Sequence, residues 1–473
     1  MATLSMAFDI ASNALEADQS ALNIVANNVA NASTPGYTRE VANWQENDPV
    51  TINGISYGQG AQVTGPVSQR DRVLEQSLQQ QSQVASASSA RLTALDQLQS
   101  VFSQATSSSS SNSSATNGIS QDITGFFDSL SQLESSPSDN SLRQQVLTSA
   151  QNLAGDFQSA SSQITEQQTS LDQQSGSLIN QINALTQSIA KLNVQIQSTS
   201  PNGDAGTLED QRQQDISKLA QLIGIHQIQT EDNGLTVTTS SGALLVSEGL
   251  SYALSAAPSG GVTHFYDAEG NDITTSLASG GGEIGGLLTV RDQDIPQVQN
   301  ALDTLAFDLG TAVNTANQAG SDANGNPGAT IFNLPATSAG AAAAISVAIT
   351  SPSQIAAAAT GLGPSDDTNL LAMANLAKQT IVAGATPTNY FSDFVSALGS
   401  LVSEVQTQNA AQQASATQLQ NVVNSLSSVD LNEEASAMST LEQSYQAAAK
   451  VFTILASVMT AALNLGVPTT YAS

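Results

Sequence analysis

The chain has no cysteine. Disulfides, thiolate zinc sites and cysteine nucleophiles are thereby excluded, and a chain that leaves the cell must hold its fold by packing alone. Positive charge is nearly as scarce. Eleven Lys and Arg stand against 40 Asp and Glu, a formal net charge of −29. Nucleic acid needs a cationic surface and an anionic membrane repels an acidic one, so no nucleic acid and no membrane insertion are expected. Long hydrophobic runs are missing as well. The most apolar one, 451–465, is interrupted by Thr453, Ser457, Thr460 and Asn464, and at about 15 residues it reads as too short to cross a bilayer. The opening "MATLSMAFDIASNALEAD" has no basic region or cleavage site and does not read as a Sec signal.

What fills the 473 residues is mostly Ser, Gln, Asn, Thr and Ala, with only 11% charged and 4% aromatic residues. Such surfaces suit long polar-faced helices. They also suit contacts between copies, because uncharged amides do not repel in a symmetric array. The length allows about two to four domains.

Both ends carry heptads. Leu4, Phe8, Ala11, Leu15, Asp18, Leu22, Val25 and Val29 step by four and three, with Asp18 the one polar member. Leu431, Glu434, Met438, Leu441, Tyr445, Ala448, Phe452, Leu455, Met459 and Ala462 do the same, with Glu434 the exception. Stripes this narrow demand a partner helix rather than a globular core. The two ends are therefore expected to pair as a coiled coil, the first helix being about 40 Å long. Asp430 or Asn432 is placed to cap the second helix, and Gly466 with Pro468 to stop it. Asp18 and Glu434 either set register or sit at the edges of their seams.

The first helix ends in "NNVANASTPGYTREVANW", residues 27–44. Pro35 forces Thr34 out of the helical region, and Gly36 supplies the freedom for a turn. Tyr37 then leads into an extended run, a second layer.

The middle is helical for most of its length. Residues 71–102, 123–133, 142–196 and about 390–426 hold apolar positions at helical spacing and read as a bundle of long helices. A serine-rich tract after 102 reads as a solvated link. Residues 226–285 change texture: alternation around Asn233-Gly234 marks a hairpin, within a small β-rich outer insert. A Gly- and Ala-rich stretch, 320–385, reads as a candidate second outer segment.

The expected fold is thus mainly α with a β-rich insert. An inner domain joins 1–45 to 427–473, a long-helix bundle joins 46–225 to 286–426, and the insert lies outside. Heptad ends with so little to bury are expected to order only when neighbouring copies supply the missing faces.

The stretches "ANNVANASTPGYTRE" and "LEQSYQAAAKVFTILASVMTAAL" resemble the paired terminal signatures of the rod, hook and hook-associated axial proteins of the bacterial flagellum. In that family the corner residues Asn28, Asn31, Thr34, Pro35, Gly36, Tyr37 and Arg39 carry the signature. "IAKLNVQI", "LEDQRQQDISKLAQLIGI", "GGEIGGLLTVRDQDIPQVQNALDTLA" and "GSDANGNPG" resemble the middle of the hook-filament junction members. A hook or rod subunit would share the ends but not this helical middle. The β insert and 320–385 look short for the family, 467–473 run past its usual end, and Gln318 stands where a His is often found.

The resemblance implies a secreted, non-catalytic structural subunit that self-associates in the axial tube. Its neighbours would be the hook protein and, on the filament side, a second hook-associated protein. Export through the flagellar type III apparatus is implied, with a cytoplasmic chaperone covering Leu441, Tyr445, Ala448, Phe452, Leu455 and Met459.

Nothing in the chain reads strongly as chemistry. "DANGNPG" places Asp322, Asn324 and Asn326 at alternating positions, but the twelfth position is Asn333 and Pro327 disturbs the loop, so a plain Asx/Gly turn is preferred to a calcium site. His226 and His264 show no partner constellation. "GISYGQGAQVTG" lacks the strand-Gly-helix context of a phosphate loop. No catalytic residue, metal or cofactor is expected; a flagellum-attached enzyme in the outer domain is the remote alternative.

Overall fold

The computed structural model describes residues 2–52, 54–103, 118–199, 204–230 and 233–464. The serine-rich link falls almost wholly outside the described residues, as do Gly466, Pro468 and the extension 467–473.

The chain opens with α1 (Ala2–Asn31) and four short strands, β1 (Glu40–Glu46), β2 (Val50–Ile52), β3 (Ile55–Tyr57) and β4 (Ala61–Ser68). Four helices follow: α2 (Arg72–Ser103), α3 (Ile119–Glu134), α4 (Asn140–Thr199) and α5 (Thr207–Leu222). Next come β5 (Ile225–Gln229), β6 (Leu235–Thr239), β7 (Leu244–Ser247), β8 (Leu250–Ser251), β9 (Ser255–Ser259) and β10 (Val262–Tyr266). Helices α6 (Thr274–Gly280) and α7 (Gly282–Thr289) lead through a π turn at Val290–Asp294 into α8 (Ile295–Gln318). Small pieces follow: β11 (Gly320–Ser321), β12 (Phe332–Asn333), α9 (Ala341–Ala344), β13 (Ser346–Val347), β14 (Ala358–Ala359) and α10 (Thr368–Asn375). Helices α11 (Pro387–Ser427) and α12 (Leu431–Asn464) complete the chain. The long helices match their sequence periods closely and start where carboxylates cap them. Asp71 accepts from the amides of Val73 and Leu74, Asp139 from Ser141 and Leu142, and Asp430 from Asn432.

The chain forms two compact units. One contains Met1–Ser82, Gln181–Leu254 and Gln413–Ser473; the other contains Gln83–Asn180 and Ser255–Gln412. This division differs from the expected domains, because α2, α4 and α11 each contribute to both units. The expected insert 226–285 is divided as well. The antiparallel sheet β5-β6-β7-β8 belongs to the first unit and the hairpin β9–β10 to the second. Asn233, at the predicted Asn-Gly turn, has φ +58°, the left-handed conformation that Asn tolerates.

In the first unit α1 packs along α12, with the Phe8 and Phe452 ring centroids 4.4 Å apart. Both helices are formed in a single copy, contrary to the expectation that they need neighbours, because each supplies the other with one apolar flank. Strands β1 and β4 pair antiparallel from Glu40↔Ser68 to Glu46↔Ala61 and lie on α1, where Gly60 meets Ile10.

The second unit is a helical core of Leu95, Leu98, Ile123, Phe126, Leu130, Phe157, Leu288, Leu305 and Leu309, all essentially inaccessible to solvent. Its buried Arg291 bridges three elements. It donates to Asp172 at 2.6 Å and to the Thr263 carbonyl at 2.8 Å, and it stands 5.8 Å from the Phe265 ring.

One composition argument is revised. The helical stretch Pro387–Leu463 contains a window long and apolar enough to cross a membrane, none of it buried. The interrupting Thr and Ser residues lower the average less than the surrounding Ala, Val and Ile raise it.

Candidate functional site: the corner between the chain ends

The Thr-Pro-Gly-Tyr corner is a closed hydrogen-bonded joint in the first unit. Asn28 is fully buried at the end of α1. Its amide pairs with the backbone of Glu40 as a strand neighbour would: Nδ2 donates to the Glu40 carbonyl at 2.7 Å, and the Glu40 N–H donates to Oδ1 at 3.0 Å. The same side chain ties α1 to β1 and, through a second Nδ2 bond of 3.1 Å, to Glu434 on α12. The Tyr37 hydroxyl donates to Asn28 Oδ1 at 2.9 Å and accepts from Asn27. Burial first, then the charges of Glu40, Asp210 and Glu434, push the Tyr37 phenol far above its ordinary value, so it remains a donor. Burial likewise raises Glu40.

The turn itself is built from short-range bonds. Asn31 Nδ2 reaches the Asn27 carbonyl at 3.0 Å, and Thr34 Oγ1 donates to Asn31 at 3.3 Å. Gly36 has φ +76°, and a β-carbon there would collide with the side chain of Gln214. Gln214 Nε2 in turn donates to the Pro35 carbonyl at 2.7 Å. Both the backbone conformation and the close approach therefore require glycine. Asp210 accepts from the Thr38 amide at 3.0 Å and from Arg70 at 2.7 Å, holding the exit of the corner against α5.

Arg39 closes the joint. Its Nε donates to Glu434 at 2.7 Å, its Nη1 to Glu433 at 2.8 Å, and its backbone N–H to the Ser427 carbonyl at 2.8 Å. Glu434 is 1% exposed, so both of its oxygens are satisfied by donors from the opposite end of the chain. The seam position that sequence flagged as anomalous is thus the acceptor for the Asn28–Arg39 corner. Asp18 behaves differently: it is buried, and its Oδ2 has no hydrogen-bond partner among the described residues.

The seams need one correction. Ala11 and Val25 are buried, and Leu4, Phe8, Leu15 and Leu22 are half-buried, as a seam requires. Val29, however, is 40% exposed, while Ala17, Ala21 and Asn28 are buried. The stripe assumed one partner, but α1 has two. The β1–β4 hairpin covers a flank that the heptad count treats as solvent-facing, so the buried face is rotated towards it. On α12, Leu441, Ala448, Phe452, Leu455 and Met459 are half-buried and Tyr445 is exposed. A cavity of about 540 Å³ lies between the helices and β1, bordered by Val25, Ala42, Trp44 and Leu441.

The minor candidates resolve simply. Asp322 turns into its own loop, accepting from the amides of Asn324 and Asn326 at 2.8 Å each, as an Asx turn does. His264 does have a partner that sequence reasoning missed: its Nδ1 lies 2.6 Å from Asp272, which hydrogen bonding to His264 holds down at about 2. Asp272 lies eight residues on, in the turn that follows β10, a placement with no sequence signature. "GISYGQGAQVTG" forms β3 and β4 with their connection, not a phosphate loop. Among the described residues no cluster of His, Asp and Glu is arranged to hold a metal.

The profile of the flagella basal body rod protein family matches residues 8–38, which span the seam and the corner. The chain is 28% identical over 341 residues to flagellar hook-associated protein 1 of Escherichia coli, an alignment covering 70% of this chain and 60% of that protein. It therefore spans about 60% of the length of the enterobacterial relatives it matches. The Bacillus subtilis hook-associated protein 1 is 25% identical over 457 residues, 86% of this chain and 87% of the relative. The flagellar hook junction protein FlgK from Burkholderia pseudomallei has the same fold, with a TM-score of 0.65 at 20% identity over 73% of this chain and 99% of that one. The profile of the flagellar hook-associated protein FlgK helical domain matches residues 95–332, half of the sequence, and the chain belongs to that family.

Proposed function

We propose that this protein is the structural, non-catalytic subunit that joins hook to filament in the bacterial flagellum, outside the cell, assembling through its two terminal helices. The observation that carries the reading is the arrangement of α12 in three rows. Leu441, Ala448, Phe452, Leu455 and Met459 form the row towards α1. Ala447, Val451, Ile454, Val458 and Ala461 form a second apolar row at the same heptad spacing, and all five are exposed. Gln446, Lys450, Thr453, Ser457 and Thr460 form a polar row. A helix crossing a membrane is apolar all round. Two apolar rows beside a polar one belong instead to a helix with two helical neighbours, of which one is α1 and the other is missing from a single copy.

On this reading α1 and α12 are a two-stranded coiled coil completed by other subunits, and Asn28, Tyr37, Arg39 and Glu434 set its register. The helical middle favours the junction over a rod or hook subunit. The hook protein and a second hook-associated protein are then the axial neighbours. During type III export, a cytoplasmic chaperone would cover the α12 stripe that α1 later occupies; chaperone binding that survives removal of residues 441–463 would end that assignment. The role itself is tested in cells lacking the gene, by electron microscopy and a flagellin assay of the medium. Complete hooks without filaments, with flagellin released, are expected. Loss of the hook would place the protein in the rod or hook, and normal filaments would refute the reading.

A further inference from the structure

The small hairpin β2–β3 has a face that its own chain leaves open. The pairs Val50↔Tyr57 and Ile52↔Ile55 put four apolar side chains on one side, while Thr51↔Ser56 puts two hydroxyls on the other. Val50 is 37% exposed, Ile55 58% and Tyr57 38%, and the two strands pack chiefly on each other. An isolated two-stranded hairpin is marginal in water, and an exposed, wholly apolar face adds cost without return unless something covers it.

We infer that this hairpin face docks on the second apolar row of α12 of another copy of this chain, an inference that rests on self-association through the terminal helices. Three features single out that occupant. First, the sizes agree: strands of three residues span about 10 Å, and Val451 to Val458 on α12 also spans about 10 Å. Second, both surfaces are apolar and exposed, with Val451 at 49%, Ile454 at 61% and Val458 at 47%. Third, the charges complement one another in a chain with few cations. Lys450 is the one cation of α12 and flanks the row between Ala447 and Ile454, while Glu46 and Asp48 are exposed just before Val50. Two different patches of one chain that fit each other make a head-to-tail contact, which repeats into an open helical array rather than closing as a dimer. The polar Thr51/Ser56 face would remain in water.

The absence of cysteine makes the test direct. Full-length Ile55→Cys protein is mixed with full-length Ile454→Cys protein under assembly conditions and oxidised, so that a mixed disulfide can form only between copies. Sedimentation reads self-association in the same samples. The expected result is cross-linking about tenfold faster than for Thr51→Cys mixed with Ile454→Cys, because docking raises the effective concentration of the first pair alone. Lys450→Glu in the Ile454→Cys chain is expected to slow it several-fold, and Asp48→Lys in the Ile55→Cys chain to restore it. Sedimenting assemblies without preference for the Ile55 pair, or with a rate indifferent to both charge changes, would overturn the docking while leaving self-association intact. Failure to sediment at all would overturn both.

Discussion

Replacing Glu434 by Ala should detach the first turn of α12 from the corner, and the cost can be worked from the contacts. Removing one partner of a buried ion pair costs about 3–5 kcal/mol when the other charge is left stranded. Arg39 is not wholly stranded: its side chain is 20% exposed and keeps Glu433 at 2.8 Å. Asn28 also keeps the Glu40 carbonyl at 2.7 Å. The expected loss is therefore about 2–3 kcal/mol, mostly from Arg39, with about 1 kcal/mol for the unmade Asn28 bond. Glu433 is the built-in control. It binds the same guanidinium but is 61% exposed, so Glu433→Ala should cost under about 0.5 kcal/mol. The chain has a single Trp, and Trp44 borders the same cavity as Glu434 and Leu441. Urea unfolding followed by its fluorescence therefore reports the joint itself. A double-mutant cycle with Arg39→Ala should give a coupling of about 1–3 kcal/mol. If Glu434→Ala costs no more than Glu433→Ala, the corner does not hold α12 and the register argument fails.

Gly36→Ala is expected to cost about 1–2 kcal/mol from left-handed strain plus the clash with Gln214; Gln214→Ala should relieve only the clash, readable in the same fluorescence curves. In the second unit, burial and then the charge of Asp122 push Asp156 up to about 7. A carboxyl raised on folding holds a proton that the unfolded chain has lost, so stability is greatest below about pH 4 and falls as pH rises towards about 7. Asp156→Asn should remove that fall. The full shift would be worth about 4 kcal/mol, but both carboxyls are half-exposed, so about 1–2 kcal/mol at pH 8 is expected from thermal melts. Arg291→Lys should cost about 3 kcal/mol, because an ammonium cannot bridge Asp172, Asp292 and the Thr263 carbonyl together; a melting temperature within error of the parent would contradict this. Asp18→Ala should raise the urea midpoint by about 1 kcal/mol in stability, because it removes a buried carboxylate with an unpartnered oxygen; a lower midpoint would mean that Asp18 is paired.

The sequence by itself determined whatever depends on spacing along the chain. The heptads of α1 and α12, the extents of α2, α3, α4 and α11, the Asp430 cap and the Pro35–Gly36 stop all rest on contacts within about four residues. Residue identity alone also marked the corner, because Pro, Gly and Asn restrict the backbone locally. Tertiary structure decided how many neighbours each face has. A heptad count sees one stripe and cannot know that β1 and β4 lie on its flank, which is why Val29 is exposed and Asn28 buried. Glu434 looked like a flaw in its seam because its partner Asn28 is 406 residues away. His264 and Asp272 lie close in sequence, yet only the turn after β10 brings them together. The same limit applies to the β insert. Its strands were legible from their alternation, but the assignment of β5–β8 to one unit and β9–β10 to the other follows from which helices they pack on. Local spacing fixes the period of a segment, and the count of its partners is set only when distant segments meet.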